Sequence, residues 1–306
     1  MGYLWNSFDD ELGNYPLYSD RIRVTLVIIY LTLTLAAVAS RFVSFLQALT
    51  LHGKTKKIVT LTYAHSLTRW IQQVTVPKSW FLHFYLVGFI VTLLVLTITV
   101  EQSTMFYMYE PTKSTLRWTL TQILLLLHLL RRCYECYYVH QYDSSRMHLV
   151  GYSIGLLHYS ILPWNFLRHL PQRDTFDSTS VPTITTTTTS GFRIVLAVCL
   201  GWLGQYQQYR HHVLLAHLRT TKTTDDRYSI PHGGWFQYVG CPHYLAEILI
   251  YVGFFLLMPS IQTFALLVWV ISNLTVSAWN SHQWYCRTFG HDYIKLQRKA
   301  IFPGLL

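Results

Sequence analysis

The sequence predicts an all-α integral membrane bundle of seven transmembrane helices, and three features of the 306-residue chain support this fold class. Only 12% of the residues are charged, well below the ~25% usual for soluble domains. Apolar runs recur along the whole chain, and the longest, 248–286, contains 39 residues without Asp, Glu, Lys or Arg. Its length suits two crossings of a ~30 Å bilayer core, with a turn near Pro259-Ser260.

The other five predicted spans are charge-poor runs that precede this long one. In chain order they are 24–40, 79–100, 118–130, 147–167 and 194–209. A bilayer is crossed by ~20 helical residues, so the shorter runs must extend into their flanks, as 115–130 does. We expect one domain, 1–306, with an N-terminal lumenal segment at 1–21, a Thr-rich loop at 171–191 and a C-terminal half at 192–306.

The distribution of basic residues predicts the orientation of the bundle, because cytosolic loops are enriched in Lys and Arg. The connection 41–78 carries six basic residues and no acid, so it is predicted to be cytosolic. The segments 210–243 and 287–306 are basic as well. The connections 101–117 and 168–193 are mixed in charge. The alternation of basic and mixed connections predicts a lumenal N-terminus and a cytosolic C-terminus. The acidic start is opposite to that of a cleaved signal peptide, so the first apolar run is predicted to be a retained anchor.

Composition and motifs argue against several other classes of protein. The net charge of +10 is spread over short segments between apolar runs, which does not favour a nucleic-acid partner. Cys133 and Cys136 have metal-ligand spacing, but a second pair is missing, so no metal site is predicted. G-x-G-x-x-G, G-x-x-x-x-G-K and H-E-x-x-H do not occur, which leaves Rossmann, P-loop and zincin interpretations unsupported.

Polar and aromatic residues are instead concentrated around the last two predicted cytosolic segments. They are Gln205, Gln208, Arg210, His211, His212, Arg219, Tyr228, His243, Glu247, Asn280, His282 and Tyr285. Glu247 begins a lipid-buried helix and His282 lies deep in an uncharged run, so both are predicted to face a polar pocket. A structural hydrogen bond between helices is the alternative for any one of these residues. Together with the arginines, the set indicates a site for a phosphorylated ligand.

Two segments of this region carry a recognisable pattern. IPHGGWFQYV at 230–239, followed by PHYLAE at 242–247, resembles the I-P-x-G-x-x-F-x-Y-V…N/H-[YF]-L-x-E signature of the steroid 5-alpha-reductase family. The tail resembles that family's ending as well, from HQWY at 282–285 to RKA at 298–300 and Pro303. Within the family, the chain is most similar to the polyprenal (polyprenol) reductase branch, through GKTK at 53–56, VPKSWFLHFY at 76–85, LLLLHLLRRCYE at 124–135 and QYRHHV at 208–213.

The resemblance implies an endoplasmic-reticulum enzyme that uses NADPH to reduce a carbon–carbon double bond conjugated to a carbonyl. It places the cofactor among the cytosolic halves of the later helices, which makes 192–306 the cofactor-binding half. Arginine suits pyrophosphate and 2′-phosphate, because its planar fork donates paired hydrogen bonds. The matching cofactor-binding residues are Gln208, His212, Arg219, Tyr228, His243, Glu247, His282 and Tyr285, with Arg132 as a further candidate.

The chain departs from the steroid enzymes at the residues that hold the steroid carbonyl. Those enzymes place Glu and Tyr where this chain has Phe84 and Leu129, and Arg where it has Ser229. Reduction of an enal still needs a group that stabilises the enolate oxygen. His83 is the first candidate for this catalytic role and His128 the second, and each could instead be a hydrogen-bonded structural histidine.

The resulting hypothesis is reduction of the α-isoprene double bond of polyprenal on the path to dolichol, which supports protein N-glycosylation. The long polyisoprenoid is expected to enter from the bilayer, with membrane lipids as the other partners and neither nucleic acid nor an obligate protein partner. Three alternatives stay open at this point: a 3-oxo-Δ4-steroid 5α-reductase, a non-catalytic lipid-binding or transport bundle, and a membrane methyltransferase.

Overall fold

The computed structural model describes residues 17–43, 74–104, 113–142, 145–167, 184–220 and 228–304. Within these ranges the chain is mostly helical, as predicted. A short helix, α8 (His291–Ile294), follows the long ones. The long helices are α1 (Leu17–Ala39), α2 (Phe81–Thr104), α3 (Lys113–Tyr134), α4 (Leu149–Ile161), α5 (Ile184–Thr220), α6 (Pro242–Leu257) and α7 (Ile261–Phe289).

A two-stranded sheet departs from the all-α prediction. Strand β1 (Thr75–Pro77) pairs antiparallel with β2 (Arg146–His148), in the register that sets Val76 opposite Met147. The Arg146 side chain adds bonds to the hydroxyl (2.8 Å) and the carbonyl (2.6 Å) of Thr75. The sequence pattern missed this sheet because three residues are too few to show the alternation typical of a strand. The pairing brings the starts of α2 and α4 together.

The predicted turn in the long uncharged run is confirmed. Helix α6 ends at Leu257 and α7 begins at Ile261, so the break falls at the expected Pro259-Ser260. Ser260 and Thr263 form a reciprocal cap: the Ser260 amide donates to the Thr263 hydroxyl (3.0 Å), and the Thr263 amide donates to the Ser260 hydroxyl (3.3 Å). Such a cap satisfies two amides that the first turn of a helix would otherwise leave without partners.

One predicted boundary is wrong. The Thr-rich loop at 171–191 is helical from Ile184 onward, so the threonine run 185–189 belongs to α5. Helix α1 begins at Leu17, inside the segment 1–21, whose lumenal location stays a prediction. Threonine is a weak helix former, but extending a helix costs far less than starting one, so an apolar helix that begins further along can propagate backward. Positions 171–183 and 1–16 lie outside the described residues.

Among the residues that the structure describes, three helical segments are long and apolar enough to cross a membrane: Arg21–Ala39, Lys78–Thr99 and Ile261–Phe289. Pro242–Leu257 is a shorter apolar helix. On α2 the exposed side chains include Leu86 and Ile90, whereas Tyr85 and Thr92 are buried. A helix that exposes an apolar face in this way is suited to lipid rather than to water.

Helices α5 and α6 approach each other closely through small residues. A Cβ added at Gly204 would lie 2.6 Å from the carbonyl oxygen of Ala246, and one added at Gly253 would lie 2.9 Å from that of Ala197. Small residues of this kind let helix backbones approach in membrane bundles, where dispersion contacts replace the hydrophobic effect as the main attraction. The close approach brings the turn of α5 that follows Gly204 against the first turns of α6.

Replacing Gly204 by Ala should therefore destabilise the protein by about 1–3 kcal/mol, the usual cost of overpacking. The measurement is the thermal unfolding midpoint of the purified protein in detergent. Gly191 is the matched control, because it lies on the same helix and a Cβ there meets nothing within 4 Å. Gly191→Ala should be neutral or stabilising. Equal increases in the midpoint for both variants would contradict the tight packing of α5 on α6.

Candidate functional site

A carboxylate buried at the end of α3 gathers two arginines. Arg131 and Arg132 both donate hydrogen bonds to Glu135, which has no exposed surface. Glu135 opens the π-helical turn Glu135–Val139 that directly continues α3, and the i,i+4 and i,i+3 spacings put both guanidinium groups within its reach. A buried charge is tolerated only when its partners satisfy it, so this triad forms the charged centre of the site.

His212 on α5 completes the carboxylate's set of donors. Its Nδ1 lies 2.8 Å from Glu135 Oε2, and because a carboxylate only accepts, Nδ1 carries the hydrogen. The His212 ring packs against the rings of His140, at a centroid distance of 4.7 Å, and His243, at 5.5 Å. The cofactor candidate His243 thus adjoins the charged centre through His212.

Three side chains around the charged centre carry atoms of the types that bind metal ions. The side-chain atoms of Glu135, His140 and His212 all lie within 4.8 Å of one another. However, Arg132 Nη1 lies among them: it bonds Glu135, and it is 3.3 Å from His140 Nε2 and 2.9 Å from His212 Nδ1. The guanidinium therefore takes the position that a bound cation would need.

His140 contributes to this group as a neutral ring. Burial, His212 and Arg132 lower its pKa to about 2, so the imidazole carries no charge at physiological pH. Since Arg132 can only donate, the neutral Nε2 of His140 accepts its hydrogen bond.

Arg132 also connects this centre to α2. Its Nη2 donates to the Tyr85 hydroxyl at 2.6 Å, and its guanidinium carbon lies 4.6 Å from the centre of the Tyr85 ring. A cation above an aromatic face is attracted by the electron density of that face. Tyr85 is 7% exposed, so both contacts are formed away from bulk water and are stronger for it.

Arg131 extends the network towards α6. Its Nε donates to Gln205 Oε1 at 2.7 Å, and its Nη2 donates to the Gln208 side-chain oxygen. The Gln208 amide nitrogen in turn donates to Glu247. The network therefore joins α3, α5 and α6 through uninterrupted polar contacts.

His128 lies between Arg131 and Glu247. Its Nδ1 is 3.4 Å from Arg131 Nη2, which can only donate, so Nδ1 accepts and the ring hydrogen is on Nε2. That Nε2 lies 3.5 Å from Glu247 Oε1. Both ring nitrogens of this fully buried histidine therefore face other residues of the network.

Aromatic residues near the C-terminus form a second group. The Tyr285 ring stacks on Tyr293 at a centroid distance of 5.0 Å, and His282 Nδ1 lies 3.1 Å from the Tyr293 hydroxyl. Tyr228 packs edge-on against Trp284 at 5.1 Å. Three of the predicted cofactor residues, Tyr228, His282 and Tyr285, are thus in one aromatic cluster.

The segment after α8 fixes the loop that precedes α6. The main-chain amides of Gly240 and Cys241 donate to the carbonyls of Lys299 (2.7 Å) and Ala300 (3.1 Å). Arg298 Nη1 donates to the Pro231 carbonyl at 2.7 Å, and its Nη2 lies 3.2 Å from His232 Nδ1. Burial and Arg298 both lower the pKa of His232, so a neutral imidazole accepts that bond.

Arg219 lies between the two groups. It donates to the Gln141 carbonyl, next to His140 of the charged centre. It also lies within electrostatic reach of Tyr285 in the aromatic cluster and of Lys78 at the start of α2. The predicted cofactor residues on α5, α6 and α7 are therefore neighbours rather than scattered over separate surfaces.

The remaining predicted site residue stands apart from the charged centre. His83, the first catalytic candidate, has its Nδ1 2.9 Å from the Tyr152 hydroxyl and its ring 5.3 Å from that of Trp80. The catalytic and cofactor roles of all these residues stay predictions. The structure adds four residues to the site that the sequence pattern did not indicate: Tyr85, Arg131, Glu135 and His140. The R-R-x-x-E spacing at 131–135 could have signalled the helical ion pairs.

Comparison with known proteins shows the family to which the chain belongs. A family profile described as 3-oxo-5-alpha-steroid 4-dehydrogenase matches residues 176–306. A polyprenal reductase of Saccharomyces cerevisiae is 32% identical over 302 residues, which cover 98% of this chain and 99% of that protein. The chain belongs to the polyprenal reductase family.

Relatives in other kingdoms extend the match. Among members of this polyprenal reductase family, one from Caenorhabditis elegans is 32% identical over 264 residues (77% of this chain, 81% of its own). Polyprenal reductase 1 of Arabidopsis thaliana is 32% identical over 266 residues (76% and 82%). Family membership identifies the chain as an oxidoreductase and gives no support to the methyltransferase and transport alternatives.

Replacing Glu135 by Gln should strongly destabilise this polyprenal reductase family member. An amide cannot neutralise two buried guanidinium groups, and removing one partner of a buried ion pair typically costs about 3–5 kcal/mol. The measurement is the thermal unfolding midpoint of the purified protein.

Asp292→Asn is the matched control, because Asp292 also pairs with a basic residue three positions away, Lys295 at 2.7 Å, but on the surface. Its midpoint should stay at the wild-type value, since exposed pairs contribute little. Equal midpoints for Glu135→Gln and wild type would show that Glu135 does not hold the arginines.

Proposed function

We propose that the protein is an NADPH-dependent polyprenal reductase of the endoplasmic-reticulum membrane. It reduces the α-isoprene double bond of polyprenal to give dolichal on the way to dolichol, for protein N-glycosylation. The observation that carries the proposal is the match to a polyprenal reductase over 98% of the chain at 32% identity. The polar network around the charged centre, which joins residues of four helices, supports it because catalysis needs preorganised polar groups in a water-poor site.

The charges around Arg219 fit a dinucleotide phosphate. Arg131 and Arg132 are balanced by Glu135 and Glu247, whereas Lys78 and Arg219 lie within electrostatic reach of each other as like charges. An anion between them would remove this repulsion, and a guanidinium is suited to phosphate oxygens. When bound, NADPH supplies the hydride.

The remaining predicted residues suit other parts of the same cofactor. Glu247 and the Gln208 amide offer an acceptor and a donor for ribose hydroxyls or a carboxamide. The aromatic cluster of Tyr228 and Tyr285 offers flat surfaces for the cofactor's rings. Arg219 joins the two regions, so a single extended ligand could contact both.

Helices beyond the three apolar spans also have faces suited to lipid, which supports a seven-span protein. On α3, Ile123 and Leu130 are about half exposed (47% and 49%), as are Val195 and Trp202 on α5 (62% and 54%). With a lumenal N-terminus, the charged centre at the end of α3 lies on the cytosolic side. There the cofactor enters from the cytosol, while the polyisoprenoid reaches the site laterally from the bilayer.

The environment of Phe84 favours an isoprenoid over a steroid. Phe84 and Leu129, which replace the carbonyl-holding pair of the steroid enzymes, are both buried. The Phe84 ring covers Gly155, where an added Cβ would lie 2.7 Å from the ring. An apolar wall of this kind lacks the pair that holds a steroid ketone and suits a branched hydrocarbon chain.

The purified protein in lipid nanodiscs should reduce polyprenal with NADPH and leave testosterone unchanged. Product formation is followed by mass spectrometry of the lipid extract, with dolichal as the standard. Boiled protein and a reaction without NADPH are the controls. Reduction of testosterone but not of polyprenal would refute the proposed substrate and favour the steroid enzyme.

Arg219→Ala should weaken NADPH binding by about 10- to 150-fold, because hydrogen bonds to charged groups contribute about 1.5–3 kcal/mol. Binding is measured through quenching of tryptophan fluorescence. Arg193→Ala is the matched control, since Arg193 lies on the same helix, 26 residues before Arg219, and should leave the affinity unchanged. Equal affinities for wild type and Arg219→Ala would exclude Arg219 from the cofactor site.

A further inference from the structure

The hydroxyl of Tyr85 has a hydrogen available for a ligand. Its oxygen accepts a hydrogen bond from Arg132 Nη2 at 2.6 Å. A phenolic hydroxyl can accept and donate at the same time, and in the part of the chain that the structure describes, no acceptor takes the Tyr85 hydrogen. A buried hydroxyl whose hydrogen lacks a partner is unfavourable, so a ligand oxygen would find a prepared donor.

Arg132 is placed to stabilise the oxygen of Tyr85 once its hydrogen has passed to a ligand. The guanidinium places one N–H on the hydroxyl oxygen and lies 4.6 Å from the centre of the ring. Both contacts stabilise negative charge on the oxygen, because donors to an anionic group favour that form. Glu135 holds Arg132 in place from the other side.

The surroundings of Tyr85 match the position that a carbonyl must occupy. Tyr85 follows Phe84, which stands where the steroid enzymes have their carbonyl-holding acid. The Tyr85 ring packs edge-on against Tyr159 at 4.8 Å, and Tyr159 and Leu129 both lie next to Gly88, one turn further along α2. Tyr85 is therefore a polar hydroxyl within a wall that is otherwise aromatic and aliphatic.

We propose that Tyr85 is a catalytic residue that donates its hydroxyl hydrogen to the aldehyde oxygen of the enal, in place of the Glu–Tyr pair of the steroid enzymes. This assignment rests on the proposed function, and it goes further by naming the donor. His83 bonds Tyr152 instead, and both nitrogens of His128 face Arg131 and Glu247.

The proposed step balances atoms and charge. Hydride addition to the β-carbon breaks the carbon–carbon π bond, whose electron pair forms a new double bond between the α-carbon and the carbonyl carbon. The π pair of the carbonyl moves to its oxygen. Tyr85 gives its proton to that oxygen, which leaves an enol and a tyrosinate stabilised by Arg132. The α-carbon then takes a proton from the medium as the enol proton returns to Tyr85. The net change is one hydride and one proton added to the substrate.

Tyr85→Phe tests the assignment. Loss of a general acid typically costs 10²–10⁴ in rate, so we expect kcat with polyprenal to fall by about 100-fold or more, while the dissociation constant of NADPH stays within about threefold. Tyr30→Phe is the matched control: the fully buried Tyr30 hydroxyl accepts from Asn165 at 2.8 Å. It should keep kcat within about threefold. His83→Ala, assayed in parallel, tests the first candidate.

A second measurement does not depend on turnover. A saturated isoprenoid aldehyde, labelled with ¹³C at the carbonyl, cannot be reduced at a double bond. A hydrogen bond to the oxygen moves the carbonyl ¹³C signal to higher frequency. We expect this shift with wild type and with Tyr30→Phe, and its loss with Tyr85→Phe.

The outcomes separate the two proposals. An unchanged kcat, or an unchanged ¹³C shift, in Tyr85→Phe overturns the role of Tyr85 while leaving polyprenal reduction intact. Failure of the wild-type protein to reduce polyprenal, with a ¹³C shift that still depends on Tyr85, overturns the proposed substrate and supports the donor. Failure of both measurements with wild type overturns both.

Discussion

The buried carboxylate of Glu135 is the interaction on which the rest of the site depends. Two adjacent guanidinium groups would repel each other strongly in an apolar bundle. Glu135 lies between them and accepts a hydrogen bond from each. With this charge balanced, Arg131 and Arg132 can point in different directions, one towards α5 and α6 and the other towards α2. A single carboxylate thus sets the geometry of contacts on four helices.

The polar network also needs helices that approach closely. Gly204 and Gly253 let α5 and α6 approach until a methyl group would not fit between them. Gln208 is four residues after Gly204 and so lies on the same face of α5. It therefore donates directly to Glu247. Backbone packing and hydrogen bonding are coupled here, because the small residues fix the distance across which the polar groups pair.

Those parts of the structure that depend on local chemistry can be predicted from the sequence. Pro259 interrupts a long apolar run, and the turn occurs there because proline cannot continue a helix. Glu247 at the head of an apolar helix is expected to have polar partners, and it has Gln208. Sequence analysis fails where partners are distant along the chain. Tyr85 and Arg132 are 47 residues apart, and no local pattern links them, while the strands β1 and β2 are too short to show a period.

The attachment of the segment after α8 determines how the protein tolerates substitution and truncation at its C-terminus. The main-chain carbonyls of Lys299 and Ala300 accept hydrogen bonds from the amides of Gly240 and Cys241, immediately before the first turn of α6. Backbone hydrogen bonds do not depend on side-chain identity, so many substitutions at these positions leave the attachment intact. A chain that stops before Lys299 would keep the residues of the long helices, yet the loop leading into Glu247 would lose its anchor. Such a truncated protein would also lack Ala300 and Ile301, both buried in the core, so its stability would fall together with its activity.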